Sequence, residues 1–104
     1  MNYRFIWNER MGIRLPVLDM EWEEYSETER HSILAEWEDI RGRIPSRIME
    51  LEQCIIARQN QLYDEADFTR SCELNWEIAD LASRINDLHL WYRVNQEVQS
   101  RMHG

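Results

Sequence analysis

The feature that most constrains this chain is an apolar repeat in its C-terminal half. Apolar residues recur there at alternating spacings of four and three: Leu74, Ile78, Leu81, Ile85, Leu88 and Tyr92. This spacing is typical of one side of an α-helix. We predict a helix from about Phe68 to about Arg101, which at 1.5 Å per residue is about 50 Å long. A compact core cannot bury a stripe of that length, so another long helix must lie alongside it.

A second helical segment, residues 26–63, precedes this helix. Ser26 and Glu29 form a capping box, in which each side chain accepts a hydrogen bond from the other residue's backbone N–H. Gly42 and Pro45 interrupt the segment, so the helix either ends and restarts there or continues through a proline kink. Near-continuity is favoured because apolar positions keep helical spacing across the interruption: Ile33, Trp37, Ile40, Ile44, Ile48, Leu51, Ile55 and Leu62.

A short connection, residues 64–67, joins the two helical segments. Asp64 and Asp67 are residue types that cap helices, and Phe68 is expected to begin the apolar register of the last helix. A connection this short makes consecutive helices antiparallel neighbours, so the sequence predicts an all-α fold built on a long antiparallel helical hairpin with a kinked or broken first arm. The predicted interaction seam consists of Ile48, Leu51, Ile55, Leu74, Ile78, Leu81, Ile85, Leu88 and Tyr92.

Residues 1–25 have a different character from the helical part. Aromatic residues alternate with other types along residues 3–7, which favours an extended segment, and Gly12 and Pro16 disfavour helix. The apolar content is too high for a disordered tail. We therefore expect a single domain over residues 1–104 in which an extended N-terminal arm lies across the helices or across a partner.

Composition and cysteine usage limit the compartment. No apolar run approaches the roughly 18 residues needed to cross a bilayer, and the N-terminal sequence is too short and too polar for a signal peptide. Cys54 and Cys72 have neither the spacing of a redox motif nor that of a zinc site, so both are expected to be reduced thiols. These features predict a cytoplasmic protein that does not bind a membrane.

The charge of the chain is acidic and unevenly distributed. Twenty acidic residues oppose 12 basic ones, all arginine, and the net charge is −8. A field of this sign repels phosphate backbones, which argues against direct nucleic-acid binding. It is compatible with a solvated helix face or with an acidic surface that imitates DNA. Nine of the acids lie close together in the chain: Asp19, Glu21, Glu23, Glu24, Glu27, Glu29, Glu36, Glu38 and Asp39.

The sequence contains no pattern typical of catalysis or cofactor binding. His31, His89 and His103 lack the spacing of a metal site, and no Gly-rich phosphate loop or nucleophile motif is present. We therefore expect no enzyme activity, no cofactor, no metal and no small-molecule substrate.

A stretch of the hairpin carries a family resemblance. Its residues are Ile48, Leu51 and Ile55, followed by Asp67-Phe68, Ser71, Leu74, Glu77-Ile78 and Leu81. This stretch resembles the UVR motif of the B and C subunits of bacterial nucleotide excision repair and of some stress-protein adaptors, a helical hairpin that pairs with another hairpin into four helices. It departs from the motif at Ser71, where alanine is usual, and at Asn75, where arginine commonly follows the leucine. The resemblance implies protein–protein pairing without catalysis.

The favoured function is a non-enzymatic interaction protein that self-associates and binds an unidentified protein partner. A lone hairpin cannot bury the second apolar row of the last helix, so we expect a homodimer in which two hairpins form four helices. That row consists of Cys72, Ala79, Ala82, Trp91, Val94 and Val98. Tryptophan is a frequent interface anchor, and the predicted partner surface comprises Trp22, Trp37, Trp91, Glu23 and Glu24. The alternative is an acidic inhibitor, or DNA mimic, that blocks a nucleic-acid-binding protein.

Overall fold

The computed structural model describes the backbone of residues 2–103 and the side chains of residues 2–94. Helix makes up 71% of the described residues, and the molecule measures 59 × 22 × 19 Å. The mostly helical architecture confirms the predicted fold class at this level. Along the described residues the elements are strands β1 (Tyr3–Asn8) and β2 (Ile13–Leu18), a 3₁₀ turn (Trp22–Glu24), and helices α1 (Glu27–Arg41), α2 (Ile44–Asp64) and α3 (Phe68–His103).

Helices α2 and α3 form the predicted antiparallel hairpin. The connection is residues 65–67, and the Asp67 carboxylate accepts a hydrogen bond of 3.0 Å from the backbone N–H of Arg70, which caps the start of α3. Phe68 begins α3 as predicted but does not join its buried register, because its side chain is 81% exposed. Leu74 is the first residue of α3 that is fully buried.

The seam between α2 and α3 contains the residues predicted from periodicity. Four of them are buried and the others are half-buried, which is expected where two helices alone cover each other. The buried ones are Ile48, Leu51, Leu74 and Leu88, and the half-buried ones are Ile55, Ile78, Leu81, Ile85 and Tyr92.

The first helical arm is bent because its helix ends and restarts. Gly42 is the C-cap of α1, and Pro45 lies in the first turn of α2, where its missing N–H costs no helical hydrogen bond. The predicted kinked or broken first arm is confirmed, and the arm is nearly continuous, since only residues 42 and 43 separate the two helices and both have right-handed dihedral angles. The apolar register nevertheless continues across the break, since Ile40 and Ile44 are 2% and 0% exposed.

Helix α1 begins at the predicted capping box. Ser26 Oγ accepts from the Glu29 backbone N–H at 3.1 Å, and the Glu29 carboxylate accepts from the Ser26 N–H at 3.1 Å. The buried face of α1 is formed by Ile33, Trp37 and Ile40, as predicted.

The N-terminal arm is a β-hairpin, which the all-α prediction omitted. Strands β1 and β2 pair antiparallel, with Tyr3 opposite Leu18 and Asn8 opposite Ile13. The turn ends at Gly12, whose φ of 69° is in the left-handed region. Its N–H donates to the Asn8 carbonyl at 2.8 Å. The extended conformation of this arm was predictable from the alternating aromatics, but its pairing into a hairpin was not.

The β-hairpin and α1 pack against one side of the α2–α3 pair. Arg10 in the turn forms an ion pair with Asp87 of α3. Arg47 of α2 donates to the Met11 carbonyl at 3.2 Å. The Trp37 ring of α1 lies 5.9 Å from the Trp91 ring of α3. These contacts join all the elements into one core at this end of the helical hairpin.

Candidate functional site: the open face of the helical hairpin

The candidate site is the side of the α2–α3 pair on which no described element packs. On α2, Met49, Ile56 and Tyr63 recur every seven residues and are 65%, 46% and 91% exposed. Seven residues are close to two helical turns, so these side chains share one side of α2. On α3, exposed residues also recur at that spacing, and we name the two rows together the open face: Met49, Ile56, Tyr63, Asn75, Ala82 and His89.

A groove shows that the two rows lie on the same side of the hairpin. It encloses about 290 Å³. Its walls come from both helices, and Ile44 and Ile48 are its buried residues. Such a groove accepts an apolar or aromatic side chain more readily than a polar one. The residues around it are Ile44, Pro45, Ile48, Met49, His89 and Tyr92.

Another side of the hairpin is charged and paired. Arg58 of α2 lies 3.6 Å from Glu77 of α3, and Arg84 lies 2.8 Å from Asp80 within α3. Near the start of α3, the Glu73 carboxylate accepts a hydrogen bond from Arg70 and raises the pKa of that guanidinium. These arginines of α2 and α3 are therefore each paired with a carboxylate.

The α2 part of the open face is poor in charge. Charged residues make up 31% of the chain, yet residues 53–63 contain a single one, Arg58, which faces Glu77. Glu50 and Glu52 are the acids that lie between Met49 and Ile56 in the α2 sequence, and Glu50 is paired with Arg47 at 3.1 Å. Depletion of charge is characteristic of the centre of a protein–protein interface, so this composition favours contact with another protein over contact with water alone.

Large aromatic side chains are exposed at the end of the hairpin remote from the β-hairpin. Tyr63, Phe68 and Trp76 are 91%, 81% and 74% exposed. Sequence reasoning missed them as site residues, because Tyr63 was placed at the end of the first helical arm and Phe68 in the apolar register of the last helix. The charge-poor run of residues 53–63 was the sequence signal that could have drawn attention to this part of α2.

The structure separates the residues of the predicted partner surface. Trp37 is 3% exposed and packs on Trp91, which is half-buried. Trp37 is therefore not at the surface, because the apolar register of α1 turns it into the core. Trp22 is half-buried beside Tyr25, with ring centroids 6.4 Å apart. Glu23 and Glu24 are exposed in the 3₁₀ turn.

The acidic cluster of residues 19–39 is partly neutralised. Four of its nine acids form ion pairs of 3.5 Å or less, two with arginines of the β-hairpin and two with arginines at the bend between α1 and α2. The pairs are Asp19–Arg4, Glu36–Arg14, Glu38–Arg41 and Asp39–Arg43. This pairing reduces the field that a DNA mimic would present.

A cleft of about 480 Å³ lies between the β-hairpin turn and the bend. Three arginines line it, but each is paired with a carboxylate, so the cleft has no excess positive charge for an anion. The pairs are Arg14–Glu36, Arg43–Asp39 and Arg47–Glu50, at 3.3, 3.1 and 3.1 Å.

The described residues form neither a metal site nor a membrane-spanning helix. No group of three or more His, Cys, Asp or Glu side chains within residues 2–94 is placed to hold a metal ion. In the same part of the chain, none of the helices is long and apolar enough to cross a membrane. Cys54 is half-buried, Cys72 is exposed, and both are free thiols.

Comparison with protein-family models found no match, and neither the curated proteins nor the solved structures gave a significant match. The resemblance to the UVR motif thus stays a prediction that rests on the residues between Ile48 and Leu81.

Proposed function

We propose that this chain is a non-enzymatic interaction protein that forms a homodimer through the open face and binds a further protein partner. The observation that carries the proposal is the exposed apolar row on α2, Met49, Ile56 and Tyr63, beside a charge-poor surface. These three residues share one side of α2 at intervals of about 10.5 Å, with polar residues such as Gln53 and Asn60 between them. A regular row of exposed apolar residues supports an interaction site.

The open face also has the dimensions of an interface. Helix α2 has 21 residues and is therefore about 31 Å long, and two adjacent helices with their side chains are about 20 Å wide. The projected area is on the order of 600 Å², and the accessible area is larger because side chains protrude. A stable dimer needs about 800 Å² from each partner, which is of the same order.

The seam residues themselves are used within one chain. Ile85 packs against the core formed by the β-hairpin, α1 and α2, so Ile85→Asp, the substitution that periodicity alone selects to break a dimer, would damage the fold of the monomer. Ile56 is not part of that core, and its side chain is 46% exposed. It therefore allows association to be tested without loss of the fold.

The test compares two neighbouring substitutions, Ile56→Asp and Ala57→Asp. Both positions are exposed on α2, but Ala57 is rotated by about 100° from the open face. A carboxylate at Ile56 would be buried in the interface at a cost of several kcal/mol. We expect Ile56→Asp to be monomeric and Ala57→Asp to remain dimeric by size-exclusion chromatography with light scattering, with unchanged circular dichroism. Equal masses for the two variants would refute the use of the open face.

The exposed aromatic side chains at the end of the hairpin remote from the β-hairpin support binding of a second protein. Phe68 and Trp76 are 81% and 74% exposed, and neither belongs to the α2 row.

Two free thiols fit a reducing compartment, and we place the protein in the cytoplasm. The UVR-like hairpin is a further argument for pairing between proteins. The alternative role as an acidic inhibitor has weaker support, since four of the nine clustered acids are paired with arginines.

A further inference from the structure

The α2 row of the open face is symmetric about its central residue. Met49 and Tyr63 lie seven residues on either side of Ile56, about 10.5 Å along the helix axis in each direction. We infer that two copies pair α2 against α2, antiparallel, about a two-fold axis at Ile56. This inference rests on the proposed function and specifies its register. The axis brings each Ile56 against its copy and each Met49 against the partner's Tyr63, so every large apolar residue of the row meets another.

The polar positions of α2 are compatible with this register. Antiparallel pairing about Ile56 places Glu52 at the level of the partner's Asn60 and Glu50 at the level of the partner's Leu62, so no two acids face each other. Arg58 is the single charged residue among residues 53–63, and it is directed to Glu77 of its own chain at 3.6 Å. The centre of the contact is therefore free of like-charge repulsion, which would otherwise oppose a symmetric pair.

The α3 half of the open face favours α2 as the partner of α2. Its exposed residues, Asn75, Ala82 and His89, are small or polar and give an apolar row little to pack against. The Arg58–Glu77 pair sets the register of the two helices. Ile56 is consequently level with the region of Ala79 and Ala82 on α3. Small side chains there let the two hairpins approach closely at the axis.

The groove provides a place for the end of the row. The two-fold axis brings the partner's Tyr63 to the level of Met49, which borders the groove of about 290 Å³. Tyr63 is 91% exposed in one copy, and its ring can enter this apolar groove. His89 on the groove wall offers a ring nitrogen to the phenolic hydroxyl, which satisfies the polar end of a buried tyrosine.

The register is tested by single cysteines in a chain carrying Cys54→Ala and Cys72→Ala. A disulfide requires Cα atoms within about 7 Å. The two-fold pairing predicts that Ile56→Cys cross-links with itself under mild oxidation, at a yield at least about tenfold above the Ala57→Cys control. Met49→Cys and Tyr63→Cys should cross-link when mixed. Neither should do so alone, because equivalent copies lie about 21 Å apart along the axis.

The outcomes separate the register from self-association. Cross-linking of Ile56→Cys no better than Ala57→Cys, in a protein that still sediments as a dimer, would overturn the register and leave the proposed function intact. Preferential cross-linking of Ile56→Cys with Ala82→Cys would place α2 over the partner's α3 and also overturn it. A monomer in the same buffer would refute the proposed function as well. A second background that keeps the half-buried Cys54 guards against loss of folding.

Discussion

Gly12 shows how far a single residue determines the N-terminal fold. Its φ of 69° is strained for any residue with a side chain, and an added Cβ would lie 2.4 Å from Arg47 Nε. The same Arg47 nitrogen donates to the neighbouring Met11 carbonyl at 3.2 Å, so the turn and α2 are in close contact here. A glycine at this position therefore permits both the turn of residues 9–12 and the packing of the β-hairpin on α2.

We predict that Gly12→Ala lowers the free energy of unfolding by about 1–2 kcal/mol or more, from backbone strain and displacement of Arg47. Gly42→Ala is the matched control. Gly42 has a right-handed conformation, with φ of −61°, and its Cβ would lie 3.5 Å from the nearest atom, the Glu38 carbonyl oxygen. That substitution should be neutral or stabilise by about 0.5 kcal/mol. Urea unfolding measures both, and equal effects would contradict the distinction.

Among the elements, the bend between α1 and α2 determines what we expect when Pro45 is replaced. Because Pro45 lies in the first turn of α2 rather than in a continuous helix, Pro45→Ala should change the free energy of unfolding by less than about 0.5 kcal/mol, or destabilise. Ala57→Pro, in the interior of the same helix, should cost about 3 kcal/mol. Stabilisation by Pro45→Ala of more than about 1 kcal/mol would show that the proline interrupts a helix that otherwise runs through.

The elements that could be predicted from sequence are those with local signals. The capping box at Ser26, the α3 register and the short connection each depend on residues a few positions apart, so helical periodicity identifies them. The pairing of β1 with β2 had a weaker signal. Its turn, residues 9–12, is not an Asn-Gly or Asp-Gly turn. Pro16 lies within β2, although proline is unfavourable inside a strand.

The open face could not be identified from periodicity, for a physical reason. Ile55 and Ile56 both belong to rows with helical spacing, and only the packing of α3 makes one of them half-buried in the seam and leaves the other 46% exposed. Trp37 was predicted to lie on the partner surface but is buried, because tryptophan is typical of interfaces and of cores alike. The helix faces were readable from the sequence, whereas which face remains uncovered depends on tertiary structure.

At the scale of the whole molecule, salt distinguishes apolar association from acidic mimicry. Raising the salt concentration from about 0.1 M to about 1 M shortens the screening length from about 10 to about 3 Å and weakens contacts between exposed charges. Burial of the open face should be unaffected or strengthened. We predict that the dimer dissociation constant stays the same or falls over this range. A steep rise would favour association through the acidic cluster instead.

The proposed homodimer is tested most directly by the mass of the wild-type protein in solution. Sedimentation equilibrium at micromolar concentration should give twice the chain mass of 12.8 kDa, because the open face leaves an apolar row on α2 that a second copy can cover. A mass near 12.8 kDa across the micromolar range would contradict the homodimer and leave the open face without the partner proposed for it.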